Sequence, residues 1–139
     1  MKYAFTLLMA LMCTAPAWAQ TPHSHDHNHT HTVDFSTLDE GWTQLEMVAA
    51  EIKAAVKAEN LDALHDLSDQ LHEVADGLKR FNKDVPKPNQ MRYTSSLNQI
   101  LSLSDRLHQA YERNDLVAAQ RLVPQLNGMV QLLMASAES

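Results

Sequence analysis

Leu61-Asp62-Ala63-Leu64-His65-Asp66-Leu67-Ser68-Asp69-Gln70-Leu71-His72-Glu73-Val74-Ala75-Asp76-Gly77-Leu78 reads as one amphipathic helix. Leu61, Leu64, Leu67, Leu71, Val74 and Leu78 recur three or four positions apart, which at 3.6 residues per turn sets them on a single stripe. His65, Asp69, His72 and Asp76 follow spacings of four, three and four and form a second, polar ridge on the same helix. The composition around this stretch points the same way. Glycine is confined to Gly41, Gly77 and Gly128, β-branched runs are absent, and Ala, Leu, Gln and Glu dominate, so the chain reads as all-α.

Three further segments flank it. Upstream, Thr37-Leu38-Asp39-Glu40 fits a capping box, and Leu38, Trp42, Leu45, Ala49, Ile52 and Val56 share a stripe that ends before Asn60. Downstream, Asp84-Val85-Pro86-Lys87-Pro88-Asn89 breaks the helical pattern. A third segment then carries Leu97, Ile100, Leu101, Ser104, Leu107 and Tyr111. Asn114-Asp115 caps a fourth, with Leu116, Ala119, Leu122, Val123, Leu126, Val130 and Leu133 inward and Pro124 expected to kink it. The two halves echo each other 55 positions apart: Leu45 answers Ile100, Leu61 answers Leu116, and Leu71 answers Leu126. Two similar helical hairpins predict an antiparallel up-down-up-down four-helix bundle over residues 36–139.

The first 19 residues have the layout of an export signal. Lys2 is the positive end, Ala4 to Cys13 is the apolar run, and Ala17-Trp18-Ala19 is the small-x-small cleavage pattern. That run is shorter than the roughly 20 residues a spanning helix needs. A lipid anchor would require cleavage just before Cys13, where Met12 stands in place of a small residue. Cleavage after Ala19 would remove the single cysteine, and with it disulfides, thiolate metal sites and thiol nucleophiles. It leaves ten basic residues against seventeen acidic ones, a balance unsuited to binding nucleic acid or anionic lipid and suited to attracting metal cations. A periplasmic location is expected, with no membrane insertion after cleavage.

Residues 20–35 read as a flexible arm in which His23, His25, His27, His29 and His31 occupy every second position among Ser24, Asp26, Asn28 and Thr30. Neutral imidazole is the commonest protein ligand for zinc, copper and nickel, and a dense histidine tract is a compositional metal signal. On the second segment, His65, Asp69 and His72 are the candidates for a fixed site, because imidazole and carboxylate one helical turn apart can share an ion. A solvated polar face is the competing reading of that ridge. His108 falls on the inner side of the third segment, where a hydrogen-bonded core histidine is the commoner role. No Ser-His-Asp order, Gly-rich phosphate loop, HExxH or paired inward carboxylates appear, so an enzyme is not expected.

Tyr93-Thr94-Ser95-Ser96-Leu97 through Asn114-Asp115-Leu116-Val117-Ala118-Ala119-Gln120 resembles the soluble periplasmic cytochrome b562 family, a likeness that extends from about Leu38 to Met134. The resemblance implies a four-helix bundle, an export route and b-type haem held between a methionine early in the first helix and a histidine late in the fourth. In this chain Trp42 and Leu45 are inward in the first helix, Met47 points the other way, and Met134 falls where that histidine would lie. His108 and Met134 are the remaining candidate haem ligands.

The reading that follows is a periplasmic, non-enzymatic protein that binds zinc, copper or nickel for buffering, resistance or delivery. A haem electron carrier, and an adaptor of an envelope metal transporter, are its competitors. Imidazole binds metal only when neutral, and its ordinary pKa is about 6.5. Metal uptake is therefore expected to weaken sharply below that pH. Replacing all five arm histidines by Ala should remove most of the metal capacity measured by calorimetry, while single replacements change little.

Overall fold

Thr37 opens the first helix as a capping box. Its hydroxyl accepts the Glu40 amide at 3.2 Å, and the Glu40 carboxylate accepts the amides of Thr37 and Ser36 at 3.2 and 2.7 Å. The computed structural model describes residues 33–138. The stretch read as an export signal and the segment carrying His23, His25, His27, His29 and His31 lie outside them. The helices are α1 (Leu38–Lys57), α2 (Ala63–Leu78), α3 (Gln90–Glu112) and α4 (Leu116–Ala137), with two short 3-10 turns between α2 and α3. The described residues are all-helical in their regular structure. Helices adjacent in sequence pack on one another, and α1 also packs on α4. None of these helices is long and apolar enough to cross a membrane.

The inward stripes read from sequence form the core. Leu45, Ile52, Leu64, Leu71, Leu78, Ile100, Leu107, Leu126 and Leu133 have no solvent exposure, and full burial of each such side chain is worth about 1.5–3 kcal/mol. α2 starts two residues later than its stripe suggests. Leu61 precedes it, offers its carbonyl to the Leu64 amide at 2.9 Å, and still packs half-buried on the core. α4 runs through Pro124 as one helix.

The 55-residue echo returns in the turns. At the end of α1, Asn60 N–H reaches the Ala55 carbonyl and Glu59 N–H the Val56 carbonyl; at the end of α3, Asp115 reaches Ala110 and Asn114 reaches Tyr111. Each is a paired 6→1 and 5→2 closure with a left-handed residue in the middle, Glu59 at φ 56° and Asn114 at φ 51°. Asp115 also accepts the Ala118 amide at 2.9 Å and so caps α4.

The other end of the bundle is closed by aromatic rings. Phe35, placed by the sequence reading in the flexible arm, is buried against Gly41 and Gly77 and stacks on Phe81 at 5.9 Å. The arm's last residues therefore belong to the core, because a ring of this size has more to gain from burial than a short segment loses by being ordered. Arg80 lies over both rings, 4.6 and 4.9 Å from their centroids. Trp42 packs edge-on against Tyr93, whose buried hydroxyl donates to the Leu78 carbonyl at 2.8 Å.

The glycines give a direct test of this packing. A Cβ on Gly41 would sit 2.6 Å from a Leu78 methyl and 2.8 Å from the Phe35 ring, whereas one on Gly128 would meet nothing within 4 Å. Gly41→Ala is expected to destabilise the fold by about 1–3 kcal/mol through overpacking. Gly128→Ala should stabilise it by up to about 1 kcal/mol through helix propensity. Urea unfolding midpoints that move in opposite directions would bear this out.

Candidate metal centre

α2 and α3 meet along a polar seam made by two copies of one short pattern. Ser68-Asp69-Gln70-Leu71-His72 on α2 and Ser104-Asp105-Arg106-Leu107-His108 on α3 share Ser-Asp-x-Leu-His. In each copy the leucine is in the core and the serine is buried, while the aspartate is exposed at the rim. Each copy serves the histidine of the other. Ser68 Oγ lies 3.3 Å and Asp69 Oδ1 3.5 Å from His108 Nδ1. Ser104 Oγ lies 3.3 Å and Asp105 Oδ1 3.7 Å from His72 Nδ1.

The serine hydroxyls favour one ring tautomer at each histidine. Ser68 donates its only proton to the His65 carbonyl at 2.8 Å, and Ser104 donates its own to the Leu101 carbonyl at 2.6 Å. Each Oγ is then free to accept from a facing Nδ1–H. The same geometry separates this seam from a hydrolytic triad. A nucleophilic serine needs an exposed hydroxyl whose proton goes to a histidine, and Ser68 is 2% exposed with its proton committed to a carbonyl.

The two ends of the seam differ in what lies beyond the shared pattern. At one end His65 stacks on Tyr111 with centroids 5.2 Å apart and meets the His108 ring edge-on at 5.0 Å. Ligand atoms of His65, Asp69 and His108 all lie within 4.8 Å of one another. Glu112 Oε1 is 3.7 Å from His108 Nε2. At the other end the position equivalent to His65, three residues before the serine, is Leu101. His72 and Asp105 therefore stand without a third donor of that kind.

The ridge read from sequence is thus divided. His65 and Asp69 come together with His108 from α3, while His72 turns to Ser104 and Asp105. His108 is half-buried at the edge of the seam, packed against His65, Tyr111, Ser68, Asp69 and Glu112, which is a more polar setting than an inner-face core histidine. Its pairing across helices is invisible to a one-helix spacing argument. The repeated Ser-Asp-x-Leu-His pattern was the available signal. Asp76 lies beyond the second end and pairs with Lys79 at 2.8 Å, and that hydrogen bond holds its carboxyl below the usual carboxylate range.

Three donors within 4.8 Å are close to a tetrahedral metal's needs, where ligand atoms about 2.0–2.2 Å from zinc stand roughly 3.3 Å apart. His108 is about one-quarter exposed and Asp69 about half, so an ion has access from solvent. Asp69 faces His108 Nδ1, so an ion shared by the two takes that nitrogen and displaces any proton on it, while Nε2 is left facing Glu112. The positions implied for haem fit less well. Met47 is 53% exposed on the outside of α1, and Met134 is a partly buried packing residue of α4. The described part of α4 offers no histidine.

Compared with protein-family models, curated proteins and solved structures, the chain matches none of them.

Nitrogen-15 NMR near pH 8 should show His72 and His108 protonated at Nδ1. Ser68→Ala should loosen that preference at His108 and leave His72 unchanged, and Ser104→Ala should do the reverse.

Proposed function

We propose that the chain is an exported, non-enzymatic protein of the periplasm that binds a divalent transition metal, with its fixed site at His65, Asp69 and His108. The observation that carries this reading is the convergence of those three side chains from two helices within 4.8 Å. Two imidazoles and one carboxylate suit zinc, copper or nickel. Water or Glu112 completes the coordination.

The half-exposed His–Asp pairs themselves would add little to stability, since such pairs are worth about 0–1 kcal/mol. Their arrangement makes better sense as a ligand set held in place by packing. Ser68 and Tyr111 position the rings, and the acidic surface raises the local cation concentration. The arm histidines His23, His25, His27, His29 and His31 act as a fast, exchangeable supply that loads the fixed site. The metal is then buffered, or delivered to an envelope metal transporter.

The finer architecture belongs to the same proposal. The four helices run up-down-up-down. Short closures after α1 and α3 support this, and so does the seam, where moving forward from Ser68 to His72 on α2 means moving back from His108 to Ser104 on α3.

Calorimetric titration of the full chain with zinc, copper or nickel is the test. His65→Ala and His108→Ala should each abolish one tight site and leave the weaker arm sites. His72→Ala should have little effect. Leu101→His, which completes the second end of the seam, should raise the number of tight sites by one. Equal loss in His72→Ala and His108→Ala, or no loss in either, would refute the assignment.

A further inference from the structure

We propose that a second site, between α3 and α4, binds a small multivalent oxyanion, either a phosphate ester or a polycarboxylate. Arg106, Arg113 and Arg121 line one pocket of about 220 Å³ whose floor is the buried Ala110 and Leu122. The chain has a formal net charge of −6, so a gathering of three guanidiniums runs against its overall balance.

The charges from Asp105 to Arg113, at the end of α3, are sorted by side. Asp105 and Glu112 turn to the α2 seam, where they face His72 and His108. Arg106, Gln109 and Arg113 recur at helical spacing and turn to α4. On α4, Arg121 is the only charged residue in the helix. None of the three arginines has a carboxylate partner among the described residues. The one acid in the pocket, Asp115, already accepts the Ala118 amide as the cap of α4.

One of the arginines is tethered across the two helices. Gln125 accepts from Arg106 Nη1 at 3.3 Å while its own amide donates to the Arg121 carbonyl at 2.9 Å. Guanidiniums that line one pocket without carboxylate partners suit an anion that several of them grip at once, and the planar fork of Arg matches carboxylate and phosphate oxygens. The apolar floor suits a ligand with a short carbon body. The pocket volume limits it to a small molecule.

The test is titration of the metal-free full chain, followed by NMR amide shifts, with phenyl phosphate, inorganic phosphate, propane-1,2,3-tricarboxylate and acetate. Saturable shifts confined to the α3–α4 end are expected for the multivalent ions, with acetate at least about tenfold weaker. The relative affinity of phosphate and tricarboxylate identifies the ligand chemistry. Arg113→Gln and Arg121→Gln should each weaken binding by about tenfold or more, the loss of one charge-assisted contact, with circular dichroism unchanged. His65→Ala should bind the anion as the unaltered chain does, which keeps this outcome separate from the metal centre. No saturable shift at millimolar anion, or equal affinity in the arginine variants, would overturn the proposal.

Discussion

Two buried serines lie in the seam between α2 and α3, and the polar contacts of that seam depend on the register that brings each to the opposing histidine. Ser68 and Ser104 are small enough to lie between helices, and each satisfies its hydroxyl on a carbonyl of its own helix. Each then presents an oxygen to the opposing histidine. A leucine at either position would hold the helices apart, and a shift of one turn would part every His–Asp pair at once. The apolar core holds the four helices together. The serines determine which polar side chains meet.

A common pattern on both helices makes the seam nearly symmetric, and the proposed metal centre rests on the departures from symmetry. His65 stands where the other end has Leu101, so one end gathers two imidazoles and a carboxylate while the other stops at one of each. Tyr111 adds a ring that stacks on His65 and limits its motion. Beyond α3 the charges change sign, with acids and imidazoles toward α2 and guanidiniums toward α4. One helix thus turns acids and imidazoles to one neighbour and guanidiniums to the other.

Much of the fold was legible because it follows from local periodicity. The Leu64, Leu67, Leu71, Val74 and Leu78 stripe, the Thr37 capping box and the Asp115 cap all rest on residues within a few positions of each other, and the 55-residue echo reappears as matching turn closures. The burial of Phe35 and Tyr93 was not legible. Both depend on space left by distant glycines or on a carbonyl fifteen residues away. The candidate site was half legible for the same reason. His65 and Asp69 are one turn apart on one helix, but the third donor, His108, is brought in by interhelical register. Spacing along α2 pointed instead to His72, which the register gives to Ser104 and Asp105.

The most direct measurement is anomalous X-ray scattering at the zinc absorption edge from crystals of the full chain grown with zinc. The account predicts a peak between α2 and α3, with His65, Asp69 and His108 donor atoms at about 2.0–2.2 Å. Zinc at His72 and Asp105 instead, or a seam still metal-free at saturating zinc, would contradict it.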